Sequence, residues 1–220
     1  MIIKNIFFDF DGVIAESVSA KTEAFRDLYT PYGKDVSDKV VDHHIRHGGV
    51  SRFEKFKIYH EEYLNKTISP EGIDDLAKQF SGLVLNKVIN SEEVKGAHSF
   101  IKKYAHKLNF WIITGTPTEE IKIITDKRNL SQYFIGIHGS PKNKKYWTEH
   151  LLEKHNLKRD EVIFLGDATT DYEAAQYSNL NFALRENEEN ESLFKDYNGL
   201  RFRDFYELES SIKNCLKFKD

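Results

Sequence analysis

The chain opens on an apolar run, Ile6-Phe7-Phe8, which leads through Asp9-Phe10-Asp11-Gly12 into Val13-Ile14. A run without polar alternation suits a strand buried on both faces, as in a parallel sheet covered by helices. The period then changes. From about Ser17 to Asn90 apolar residues recur at helical spacing and no strand pattern occurs. Ala20 to Tyr29 predicts a helix that stops near Pro31 and Gly33. Ser37 is placed to cap a helix carrying Val40, Val41 and Ile45, closed by Gly48-Gly49. Ser51 with Glu54 predicts a capped helix carrying Phe53, Phe56, Tyr59 and Tyr63, an aromatic stripe read as core. Ser69-Pro70 opens another helix through Ile73, Leu76, Phe80 and Leu83.

From Val94 strands and helices alternate. Helices are expected over Ala97–Leu108, from a cap at Thr118, over Lys144–His155, over Asp171–Ser178 and over Phe205–Leu216. Strands are expected at Phe110–Ile113, Tyr133–Ile137, Val162–Leu165, Phe182–Leu184 and, at an edge, Leu200–Phe202. This alternation predicts an α/β fold, a doubly wound parallel sheet with right-handed crossovers. Residues 17–90 then read as an inserted α-helical cap domain, and residues 1–16 with 91–220 as the core domain.

Composition narrows the setting. The chain has 220 residues, 40% hydrophobic and 30% charged, with a net charge of -3. That is an ordinary globular balance with no basic field for nucleic acid or an anionic membrane. The single cysteine, Cys215, forms no internal disulfide and fits a reducing compartment. No apolar stretch is long enough to span a bilayer, so a cytoplasmic protein is expected, as monomer or homodimer.

Chemistry is concentrated where the strands end. The first ends at Asp9 and Asp11, the second at Thr114-Gly115, the third at Gly166-Asp167. In a parallel sheet these ends share one edge, where open α/β sheets bind ligands. Carboxylates, a hydroxyl, a backbone amide and a lysine gathered there suit phosphoryl transfer, which needs positioning and charge neutralisation. Two acids this close repel one another, and Mg²⁺ suits an all-oxygen site.

Four segments, in order, resemble the motifs of the haloacid dehalogenase superfamily. They are Asp9-Phe10-Asp11-Gly12, Ile112-Ile113-Thr114-Gly115, the lysine segment Gly139-Ser140-Pro141-Lys142-Asn143-Lys144, and Gly166-Asp167-Ala168-Thr169-Thr170-Asp171. The likeness is to the phosphoglycolate phosphatase and β-phosphoglucomutase branch with a helical cap. It implies a Mg²⁺-dependent phosphatase of a small phosphorylated metabolite. Asp9 would be the nucleophile and Asp11 the general acid and base. Thr114, the Gly115 amide and Lys144 would hold the phosphoryl group. Asp9, the Asp11 carbonyl and Asp167 would hold Mg²⁺, with Asp171 supporting from behind. Relatives often carry Lys directly before the proline of the third motif, where Ser140 stands, so Lys142, Lys144 and Lys145 are all candidates, Lys144 preferred.

The cap should select the substrate. His47, Arg52 and Lys55 flank Gly48-Gly49 and could meet an anionic group. His43, His44 and His47 lack the partners of a transition-metal site and read as surface or packing residues. Two other outcomes use the same residues: a phosphomutase of the β-phosphoglucomutase type, or a non-catalytic phosphate-binding module. A phosphonatase needs a Schiff-base lysine from the cap, and Lys21, Lys34, Lys39, Lys55 and Lys57 give no clear candidate. The acidic run Glu186 to Glu191 reads as solvated surface.

Overall fold

Ile6, Phe7 and Phe8 are fully buried and form β1 (Asn5–Phe8). The structure is a computed structural model that describes residues 2–216; Met1 and residues 217–220, the outer ends of the expected core segments, lie outside it. The other strands are β2 (Asn109–Pro117), β3 (Gly136–Ser140), β4 (Val162–Gly166), β5 (Asn181–Arg185) and β6 (Leu200–Phe202). They form one parallel sheet in the order β3-β2-β1-β4-β5-β6. Phe8 pairs with Ile112 on one side and Leu165 on the other. The order runs outward from β1 in both directions, so the carboxyl end of β1 is the switch point where such sheets open a crevice.

Both sheet faces are covered, which explains the unbroken apolar runs. On one face Phe8 meets Phe110, Phe134 and Phe205, with ring centroids 5.0, 5.7 and 6.4 Å away. Helices α5 (Ala97–Tyr104) and α9 (Phe205–Ile212) supply that layer. On the other face Phe7 packs edge-on against Trp111 and Phe164. There α7 (Lys144–Lys154) and α8 (Thr169–Tyr177) close the core through Leu151, Ala174 and Ala175.

Between β1 and β2 the chain is helical: α1 (Val18–Tyr29), α2 (Lys34–Arg46), α3 (Arg52–Ile58) and α4 (Pro70–Asn90). Phe25 gathers their aromatic centre, 4.4 Å from Phe80 and 5.8 Å from both Phe56 and Tyr59. Ser51 and Ser69 cap α3 and α4, accepting from the Glu54 and Gly72 amides. Ser37 is not a cap. Its helix starts three residues earlier, after Gly33 at φ 103°, and its hydroxyl bonds the Arg26 carbonyl instead.

Other boundaries moved as well. The third strand begins at Gly136, because residues 131–133 coil into a short 3₁₀ turn. Thr118 is the first residue of α6 (Thr118–Lys127) rather than its cap; its hydroxyl bonds the Gly139 carbonyl and ties α6 to β3. The helix from Ala97 ends at Tyr104, and that from Phe205 at Ile212. Among the described residues no helix is long and apolar enough to cross a membrane.

Candidate active site

Asp9 extends the β1 ladder, its amide donating to the Leu165 carbonyl at 2.9 Å. The residue is only 4% exposed and its carboxylate is fully engaged. Oδ1 accepts the Phe10 amide at 2.7 Å, and Oδ2 accepts Lys144 Nζ at 2.7 Å. A buried carboxylate survives only with such partners. Gly12 sits at φ 76°, and a Cβ there would lie 2.0 Å from Asp167 Oδ2. Glycine therefore both permits the turn and leaves room for that acid.

Of the three candidate lysines, only Lys144 enters. Asn143 caps α7, its Oδ1 accepting the Tyr146 amide at 2.9 Å, and this aims the first helical residue inward. Lys144 Nζ bridges Asp9 and Asp171, the latter at 2.5 Å. Lys142 lies over the Tyr146 ring, and Lys145 pairs with Glu173. Asp171 sits in the first turn of α8 and accepts the Ala168 amide at 3.0 Å. Burial disfavours the Lys144 ammonium, but Asp171 and Asp9 more than offset it and raise its pKa above the ordinary lysine value.

Asp9, Asp167 and Asp171 offer carboxylate oxygens within 4.8 Å of one another, all buried. Burial and then the Asp9 charge push Asp171 up to about 7, and the same two causes push Asp167 well above the usual carboxylate range. Three carboxylates against one ammonium, Lys144, leave an excess of two negative charges when all are ionised (3 − 1 = 2). An all-oxygen site with that deficit fits a hard divalent cation. Asp171 stands with Asp9 and Asp167 in this cluster, whereas the Asp11 carboxylate points elsewhere.

Asp11 accepts Ser17 Oγ at 2.6 Å and Thr116 Oγ1 at 3.0 Å, and is ion-paired with Lys21 of α1. Lys21 also reaches Thr116 Oγ1 at 2.7 Å. Burial pushes the Asp11 carboxyl up, but Lys21, with Ser17 and Thr116, brings it below the usual range. Thr114 is buried beside it, its hydroxyl accepting the Thr116 amide at 3.2 Å. A Cβ on Gly115 would come within 2.8 Å of the Gly49 carbonyl, so the turn after α2 rests directly on the end of β2.

The cap-side cations take unequal places. Asp9, Asp11, Thr114, Gly115, Arg52 and Lys55 line one cavity. Arg52 is held there by Glu120 of α6 through two hydrogen bonds of 2.9 and 2.6 Å, so it does not stand free for an anion. Lys55 is 1% exposed and shares a hydrogen bond with His44 Nδ1 at 2.7 Å. His47 stacks on His43 at 4.4 Å and does not line the cavity.

Sequence reasoning missed several neighbours. Thr116 lies two residues beyond Thr114, on the same face by strand period, and that spacing was a readable signal. Lys21 carried no signal beyond its place in α1. The acidic run is more than solvated surface. Asn187 and Asn190 fold it inward, donating to Asp167 Oδ2 at 3.3 Å and to the Asp167 carbonyl at 2.8 Å.

Known proteins share this fold. The family model described as haloacid dehalogenase-like hydrolase matches residues 6–184. A phosphoglycolate phosphatase from Photobacterium profundum is 27% identical over 191 residues, 79% of either chain. The β-phosphoglucomutase of Clostridium difficile superposes with a TM-score of 0.78 at 20% identity, over 97% of both chains. The magnesium-bound HAD-hydrolase YfnB of Bacillus subtilis superposes at 0.71 with 16% identity, over 97% of this chain and 100% of that one. At those identities the two structures establish a shared fold.

Proposed function

The chain belongs to the haloacid dehalogenase-like hydrolase family, and from that premise we propose that it is a Mg²⁺-dependent phosphatase of small phosphorylated metabolites. One observation carries the reading: Asp9 is buried, oriented from both oxygens, and faces Lys144, Asp167 and Asp171 at the carboxyl end of β1. The phosphoglycolate phosphatase relative and the magnesium-bound neighbour support the same chemistry.

Asp9 attacks phosphorus. A bond forms between its carboxylate oxygen and phosphorus while the bond to the leaving alcohol oxygen breaks. Asp11 gives that oxygen a proton, then takes one from the water that hydrolyses the aspartyl phosphate. The Lys21 pair favours the ionised Asp11, the form that accepts the water's proton. Proton donation in the first step therefore requires the Lys21 contact to open. Lys144, Thr114 and the Gly115 amide receive the phosphoryl oxygens. Bound Mg²⁺ would be held by Asp9, the Asp11 carbonyl and Asp167, with Asp171 behind, and would supply positive charge against the phosphoryl group.

We assign residues 17–90 as the cap domain and residues 1–16 with 91–220 as the core. The contact of Gly49 with Gly115 supports a closed cap that keeps bulk water from the reacting oxygens. The decisive experiment is phosphate release from a panel of phosphorylated metabolites with Mg²⁺. Asp9→Asn should abolish turnover with the unfolding transition unchanged in character; turnover by that variant at the wild-type rate would end the nucleophile assignment. Isomerisation of a sugar phosphate without phosphate release would identify a mutase instead.

A further inference from the structure

Two asparagines stand in the acidic run after β5, and both turn inward. Asn190 is buried and Asn187 half-buried, whereas Glu188, Glu189 and Glu191 around them are exposed. Asn190 Nδ2 donates to two carbonyls, that of Asp167 just past β4 and that of Arg185 at the end of β5, each at 2.8 Å. Its Oδ1 accepts the Asn187 amide at 3.0 Å, and Asn187 Oδ1 accepts the Asn190 amide at 2.9 Å in return. Asn187 Nδ2 then reaches Asp167 Oδ2 at 3.3 Å. The two side chains thus hold Asp167 at its main chain and at its carboxylate.

The hold is backed by the core. Phe194, four residues on from Asn190, is buried with its ring centroid 6.2 Å from both Tyr172 and Tyr197. Arg201 donates to the Phe194 carbonyl at 2.6 Å, and Tyr197 to the Phe182 carbonyl of β5 at 2.9 Å. A solvated turn has no need of a buried side-chain amide. This one sets its amide on the residue that β4 delivers to the acid cluster, and both asparagines line the same cavity as Asp9 and Asp167.

Cations differ in what they ask of a carboxylate. Mg²⁺ demands near-ideal octahedral geometry, whereas Ca²⁺ accepts more oxygens in flexible arrangements, with carboxylates often bidentate. A carboxylate fixed at its main chain and at one oxygen resists the rotation that a bidentate contact needs. We propose that Asn187 and Asn190 are positioning residues for the metal site, holding Asp167 for a small octahedral cation and so setting a preference for Mg²⁺ over Ca²⁺. The assignment rests on the Mg²⁺-dependent reading above and adds what selects the cation.

The test is calorimetric titration of the cation-free protein with Mg²⁺ and, separately, with Ca²⁺, at one fixed pH. Asn190→Ala should weaken Mg²⁺ binding by about 10- to 100-fold, the range typical for loss of a partner that orients a metal ligand. Ca²⁺ binding should fall by about threefold or less, so that the preference for Mg²⁺ narrows. Asn187→Ala leaves the Asn190 bonds to Asp167 and Arg185 in place; it should move the ratio the same way by a smaller factor, and it serves if Asn190→Ala does not fold. Phosphate release followed against Mg²⁺ concentration gives a second readout. Half-saturating Mg²⁺ should rise in both variants, with kcat at saturating Mg²⁺ within about threefold of wild type.

An equal loss for both cations would overturn the selectivity and leave the asparagines a structural role only. An unchanged Kd in both variants, even with a lower Tm, would overturn the positioning and leave the phosphatase reading intact. Phosphate release by wild type at the same rate with and without a chelator would end the Mg²⁺ reading, and the positioning with it.

Discussion

Arg52 of α3 and Glu120 of α6 meet through two buried hydrogen bonds, 2.9 and 2.6 Å, across 68 residues of sequence. Ser81 of α4 adds a third link, donating to Glu120 at 2.6 Å, and the guanidinium lies 4.5 Å from the Phe80 ring centroid. The pair fastens the helical segment to the helix that follows β2. Removing one partner strands a buried charge, at a cost of about 3–5 kcal/mol, whereas replacing both by apolar groups is close to neutral. Glu120→Gln should therefore lower unfolding free energy by about 3 kcal/mol. The double variant Arg52→Met with Glu120→Leu should recover most of it. Denaturant titration decides; equal losses in single and double variants would show that the pair itself contributes net stability.

Lys21 sets the charge state of Asp11. Burial raises that carboxyl, and Lys21 is the cation that brings it below its ordinary value. In Lys21→Met burial is opposed only by the Ser17 and Thr116 hydroxyls, so the Asp11 pKa rises. The first chemical step uses protonated Asp11, so the alkaline limb of kcat/KM should move to higher pH in the variant. Ser17 and Thr116 still hold the carboxylate in place at 2.6 and 3.0 Å, so the shift reports charge rather than misplacement. A profile that superposes on wild type would remove Lys21 from this role.

Much of this arrangement was legible and some was not, for a physical reason. Apolar runs declare buried strands, and a parallel sheet brings their ends to one edge whatever their spacing. Asp9, Thr114 and Asp167 could thus be placed together, and Lys144 was preferred from its place after Gly139-Ser140-Pro141; the Asn143 cap that turns it inward is visible only in the structure. Periodicity assigns residues to faces but does not choose their partners. The pairing of Lys21 with Thr116 crosses 95 residues, and nothing local marks it. Arg52 looked free to meet an anion because Glu120 resembles any surface acid near a helix start. The run after Arg185 looked solvated because its glutamates dominate, yet Asn187 and Asn190 carry the contacts to Asp167. Ser37 reads as a cap by type, but a hydroxyl inside a helix can also serve a neighbouring carbonyl, here that of Arg26.

The acid cluster should bind Mg²⁺ in competition with protons. Asp171 is pushed up to about 7 and Asp167 well above the usual carboxylate range, each by burial first and the Asp9 charge next. A proton on Asp167 must leave before a cation takes its oxygen, and a proton on Asp171 removes negative charge from behind the site, so affinity should rise as pH rises through about 7. Mg²⁺ at about 100 times its Kd should add about 2.7 kcal/mol of stability, seen as a higher Tm. Asp167→Asn should lose that increment, and a chelator should remove it from wild type. A Tm indifferent to Mg²⁺ between pH 6 and pH 8 would deny the site its cation.

His138 and His43 make the fold acid-sensitive. Burial and neighbouring cations push His138 down to about 4; burial and then His47 do the same for His43. Each is thus neutral when folded at pH 5.5, while the unfolded chain, with histidine near 6.5, binds the proton. Where the unfolded state binds more protons, stability rises with pH. The protein should accordingly lose stability as pH falls from about 6.5 toward 4, and these two groups add nothing to the slope above 7. The His138 ring lies on Trp147 at 4.4 Å, so His138→Phe keeps the ring contact and cannot titrate. Its Tm should fall less than that of wild type between pH 7 and pH 4.5. An identical fall would mean that the His138 ring is protonated within the folded protein.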